Sequence, residues 1–110
     1  MVSTQKGNVA TMLKKNTISV LLVDDHEIVR IGFKRLIETT SEIKVVAEAS
    51  CGEDAYNLAH ELQPDIIIMD INMSGIGGLE TISRLYKRDR KIKVIALTVH
   101  ETEPFPTRVL

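Results

Sequence analysis

A single cysteine, Cys51, stands in this 110-residue chain, so no disulfide can form within it, and the residue reads as inert. No apolar stretch approaches the roughly 20 residues that a bilayer-spanning helix needs. The first sixteen residues also lack the uninterrupted apolar core of a secretory signal. Neither sign of charge dominates: 14 Lys and Arg stand against 15 Asp and Glu, which leaves no field to draw the chain to nucleic acid or to an anionic membrane. There is no internal repeat and no low-complexity tract. These absences exclude a disulfide scaffold, a membrane span and a basic nucleic-acid surface, and they point to the cytoplasm. What is present is 44% hydrophobic residues, enough for one core in one domain of this size.

Residues 1–16 read as a polar, flexible leader whose only charge cluster is Lys14-Lys15, and the domain occupies 17–110. The central feature is the run Asp65-Ile66-Ile67-Ile68-Met69-Asp70. Four consecutive large apolar residues without polar alternation suit a strand buried on both faces of a parallel sheet. Ile18–Val23 and Ile92–Leu97 read the same way, and Ile43–Glu48, with partial alternation, reads as a shorter strand nearer the edge. Helical periods separate them. Ile28, Val29, Phe33, Leu36 and Ile37 mark a first helix; Ala55, Leu58, Ala59 and Leu62 a second, stopped by Pro64; Leu79, Ile82, Leu85 and Tyr86 a third. The basic run from Lys87 to Lys91 reads as a solvated helix end. The order β-α-β-α-β-α-β predicts an α/β fold with a doubly wound parallel sheet.

The strand ends carry the chemistry. Ligands of open parallel sheets bind where the strands' C-terminal ends meet loops and helix N-termini. Asp24-Asp25, Asp70 and Thr98 all follow such ends. Ionised carboxylates on neighbouring strand ends, about 5 Å apart, repel unless a cation neutralises them. An all-oxygen set with few members suits Mg²⁺. An aspartate beside such an ion can act as a nucleophile toward a phosphoryl group, and Thr98 can donate its hydroxyl to a phosphoryl oxygen. The bland alternative is that each Asp caps a helix or turn, an explanation that serves one of them far better than all three. The segment Asn72–Gly78 reads as a loop of tight or left-handed backbone over Asp70. His26 follows the acid pair, but consecutive side chains diverge and the other donors are hard oxygens, so it is read as lying outside the ligand set. His60 reads as a helix-surface residue, and Met69 and Met73 as packing.

Leu22-Val23-Asp24-Asp25-His26, the Asp70-Ile71-Asn72-Met73 loop opening on Gly77-Gly78, and Ala96-Leu97-Thr98 resemble the signature blocks of the two-component response-regulator receiver domain. The wording of the first and last blocks is most similar to the NarL/LuxR class, in particular the GacA/UvrY/LetA group. The resemblance implies a flavodoxin-like sheet ordered 2-1-3-4-5, with Asp70 as phosphoacceptor and an Mg²⁺ site formed by Asp24, Asp25, Asp70 and the Asn72 carbonyl. It makes Thr98 the switch hydroxyl and gives His100 the position that tunes loss of the phosphoryl group. Ser74 stands where the family usually has Pro. The implied partner is a sensor histidine kinase, and the implied role is signalling and not enzymatic turnover; DNA would be met only through an output module absent from this chain. The resemblance also implies a fifth strand bearing a Lys, and a fifth helix. Strands 1–4 are present and these elements are absent, so the expectation is an incomplete receiver in which Val94–Leu97 forms an apolar edge open to self-association. Two other classes remain open from sequence: an interaction module with this fold but no phosphorylation, and a metal-dependent phosphatase, which would want an acid where Asn72 stands.

Overall fold

Four runs rich in β-branched residues form the sheet of this protein, whose computed structural model describes residues 17–73 and 75–98. They are β1 (Ile18–Val23), β2 (Ile43–Ala49), β3 (Ile66–Asp70) and β4 (Val94–Leu97). The helices between them are α1 (Glu27–Ile37), α2 (Gly52–Leu62) and α3 (Gly77–Arg88). All pairings are parallel and the order is β2-β1-β3-β4, the order that the resemblance implies for these four strands. The fourth strand starts at Val94, two residues later than its apolar run, and the central strand ends on Asp70 itself.

Alternation along the strands divides the core in two. Leu21, Val23, Ile67 and Met69 point to one side, where Ala55 and Ala59 of α2 and Leu85 of α3 close over them. Val20, Leu22 and Val45 point to the other, where Phe33 and Ile37 of α1 cover them. Small residues let α2 approach closely. An added Cβ at Gly52 would run into the Thr81 hydroxyl of α3.

Three of the helix stripes are narrower than their periodicity suggests. Ile28 is 82% exposed, Leu36 67% and Leu79 66%, and Leu62 is also exposed. The cause is the same for each. A helix laid on a sheet buries one line of side chains, here Phe33 and Ile37, Ala55 and Ala59, or Thr81 and Leu85, and apolar residues beside that line stay wet. Burial on both faces also fails for β3 and β4: Ile66 and Ile68 are half-buried and Ile95 is 50% exposed. Among the described residues β4 is the outermost strand on its side of the sheet.

Register then sets the rim. Val23 lies beside Met69 and Asp70 beside Leu97, so Asp24 emerges level with Asp70 and Thr98 one residue beyond it.

Candidate metal centre

Asp24 is 1% exposed and Asp70 not at all, although both are carboxylates. β1 and β3 deliver them side by side, and Asp25 follows at the turn into α1. One donor atom each from Asp24, Asp25, His26 and Asp70 falls within a sphere whose members are all within 4.8 Å of one another. Thr98 comes directly after β4 and is exposed. The Asn72 amide donates to Asp70 Oδ1 at 2.9 Å, an Asx turn that fixes the start of the loop. Met69 and Met73 are buried packing, as expected. Ser74 and His100 lie outside the described residues.

Adjacent side chains diverge along an extended strand, yet His26 does not stay away. It is the N-cap of α1 with extended torsions, and the turn there swings its ring back over the acids. Its amide donates to Asp24 Oδ1 at 2.8 Å. Nδ1 lies 2.8 Å from the same oxygen, 3.0 Å from Asp25 Oδ1 and 4.0 Å from Asp70 Oδ2. With carboxylate oxygens for neighbours, Nδ1 carries the proton. The imidazole thus contacts the same oxygens that a cation would use. If it competes with the ion, replacing it frees those oxygens, and a hydrogen bond of net worth about 0.5–1.5 kcal/mol converts to roughly two- to tenfold in affinity. We expect His26→Ala to bind Mg²⁺ more tightly by about that factor in calorimetric titration. Weaker binding would make the ring a ligand instead.

Two buried oxygens among the described residues have no hydrogen-bond partner, Asp24 Oδ2 and Asp70 Oδ2. An unsatisfied buried acceptor costs on the order of 1–3 kcal/mol, so their presence in one acid cluster is what a site for a small, hard divalent cation leaves behind. The residues fit Mg²⁺. Electrostatics agree: burial raises the pKa of Asp70, the Asn72 amide lowers it, the charges of Asp24 and Asp25 raise it, and His26 lowers it.

The sign of the pH effect follows. Because the native pKa of Asp70 is raised, the folded state holds a proton that the unfolded chain has already released, so this group's contribution to stability is complete at low pH and is lost as pH climbs through the raised value. Asp70→Asn removes the effect. In metal-free buffer its stability, followed by thermal melting, should exceed that of wild type increasingly from acid to neutral pH, by up to about 1–3 kcal/mol, and Mg²⁺ should close the gap. A gap that shrinks with pH in metal-free buffer would contradict this.

The glycines of the loop and one residue not singled out from sequence, Arg30, also shape the site. Gly75 and Gly77 have φ of +79°, the left-handed backbone expected of the loop. Gly78 serves otherwise: a Cβ there would lie 2.5 Å from the Asp70 carbonyl oxygen and from Ile71 Cα. It is glycine for space. Arg30 of α1 donates from Nη1 to the Asp24 carbonyl at 2.7 Å.

A family model for the response regulator receiver domain matches residues 20–110. Two curated relatives are each 48% identical over 93 residues: the response regulator GacA of Pseudomonas aeruginosa and the response regulator UvrY of Escherichia coli K12. The match covers 84% of this chain but only 44% and 43% of theirs, so the chain spans less than half the length of these relatives. Among solved structures, a two-component response regulator of the LuxR family from Aurantimonas sp. SI85-9A1 superposes with a TM-score of 0.74 at 39% identity, over 84% of this chain and 66% of that one.

Proposed function

The chain belongs to the response regulator receiver domain family, and from that membership and its acid cluster we propose that it takes a phosphoryl group from the phosphohistidine of a sensor histidine kinase onto Asp70. The observation that carries this reading is the pair of unpartnered buried oxygens, Asp24 Oδ2 and Asp70 Oδ2. Mg²⁺ would be held by Asp24, Asp25, Asp70 and the Asn72 carbonyl, and when bound it supplies positive charge against the phosphoryl oxygens.

Asp70 Oδ1 is anchored by the Asn72 amide, which leaves Oδ2 with its lone pairs available. In the transfer a carboxylate oxygen of Asp70 forms the new bond to phosphorus, the phosphorus–nitrogen bond breaks, and its electron pair stays on the kinase imidazole, which takes up a proton. Thr98 donates its hydroxyl to a phosphoryl oxygen and so reports the new state at the end of β4. His26 moves aside to admit donor and ion. The phosphoryl group is the signal, and the chain turns over no substrate of its own. Its output is control of a transcription module. A phosphatase of similar layout would need an acid two residues beyond Asp70, where Asn72 offers a neutral amide. A cytoplasmic place suits this role; no helix among the described residues is long and apolar enough to cross a membrane.

Acetyl phosphate tests the reading directly. With Mg²⁺ the intact protein should gain the mass of one phosphoryl group, and with EDTA it should gain none. Absence of the adduct in both would contradict the proposal.

A further inference from the structure

The peptide that joins Asp24 to Asp25 is held from outside the acid cluster. On its N-terminal side, the Asp24 amide donates to the Ala49 carbonyl of β2 at 3.1 Å. On its C-terminal side, the Asp24 carbonyl accepts from Arg30 Nη1 at 2.7 Å. That carbonyl belongs to the 24–25 peptide plane, so its direction fixes ψ of Asp24 and φ of Asp25 together. Those two torsions set the angle between the two carboxylates.

Arg30 is itself held. Its Nε donates to Glu48 Oε1 at 3.2 Å, and the other Glu48 oxygen lies 3.8 Å from Lys34 Nζ. The Arg30 side chain is 18% exposed, far less than a solvated surface arginine. Only a planar fork meets a backbone carbonyl and a carboxylate at once; a lysine ammonium offers one compact charge. We infer that Arg30 is a positioning residue for the Asp24–Asp25 acid pair, acting through the backbone and not as a ligand. It rests on the reading of those acids as an Mg²⁺ site.

An Mg²⁺ titration of the full chain, followed through backbone amide resonances, tests it. Loss of a partner that orients metal ligands costs about 10- to 100-fold in affinity; since Arg30 acts one step further back, Arg30→Met should weaken Mg²⁺ binding by about tenfold, at the low end of that range. Arg30→Lys should recover only part of this, because an ammonium cannot meet the Asp24 carbonyl and Glu48 at once, and Glu48→Ala should lose about two- to threefold, because the Arg30 side chain is then held at one end only. In metal-free protein the Asp25 and His26 amide resonances should shift in Arg30→Met. Wild-type affinity in Arg30→Met would overturn the inference, as would full rescue by Arg30→Lys, which would mean that charge alone matters. Should Arg30→Met not fold, Arg30→Lys and Glu48→Ala carry the same comparison. If wild type itself binds no Mg²⁺, the functional reading falls, and the inference is judged by the metal-free Asp25 amide alone, an unmoved resonance overturning it.

Discussion

Asp70→Asn protein should gain no phosphoryl mass from acetyl phosphate and Mg²⁺ under conditions in which wild type is labelled. The substitution keeps the shape of the side chain and keeps an oxygen for the Asn72 amide, so the fold and the loop survive. What it removes is the anionic lone pair that forms the bond to phosphorus. Losing the bond-forming group lowers rate by on the order of 10³-fold or more, which no neighbour offsets, because Asp24 and Asp25 would still be engaged with the ion. The same substitution is stabilising in metal-free buffer at neutral pH, since it removes a buried charge beside two others. Loss of labelling with gain of stability separates a chemical role from a structural one. Labelling of Asp70→Asn at the wild-type rate would place the acceptor elsewhere.

Gly78→Ala should damage both fold and site, by about 2–3 kcal/mol or roughly 10 °C in the thermal midpoint of a domain this small. Helix propensity favours Ala over Gly by up to about 1 kcal/mol. At this position the new methyl meets the Asp70 carbonyl oxygen and Ile71 Cα at 2.5 Å, and main-chain atoms at a strand end cannot swing aside as a side chain does. Either α3 lifts or the Asp70 turn is pushed, and Mg²⁺ affinity falls with stability. Gly32 in α1 provides the opposite sign. Nothing lies within 4 Å of a Cβ there, so Gly32→Ala should stabilise by up to about 1 kcal/mol. Chemical denaturation of the two variants checks the pair: equal effects would mean that the contact at Gly78 relaxes freely.

Much of this was legible in the residues because the dominant signals are local. The apolar runs ending in Asp24-Asp25, Asp70 and Thr98 declare the strands and their acidic rim, since capping explains one such aspartate far better than all three. The neighbour order of the strands was not legible from periodicity and came with the family resemblance. His26 was hidden because the direction of its ring depends on torsions at the β1–α1 junction, which no residue pattern encodes. Arg30 was hidden for a different reason: its partner is a backbone carbonyl, and every residue has one. Gly78 resembled its neighbours Gly75 and Gly77, although they are glycine for torsion and it is glycine for space. Ile28, Leu36 and Leu79 read as core because periodicity reports which side of a helix is apolar, not how wide a strip the sheet covers.

The central claim is that Asp70 bears the phosphoryl group, and trapping the acyl phosphate is the most direct measurement of it. Borohydride reduction of labelled protein converts a phosphorylated aspartate to homoserine, which peptide mass mapping locates. Homoserine at position 70, dependent on Mg²⁺, is the result predicted; homoserine at Asp24, Asp25 or any other carboxylate, with Asp70 intact, would contradict it.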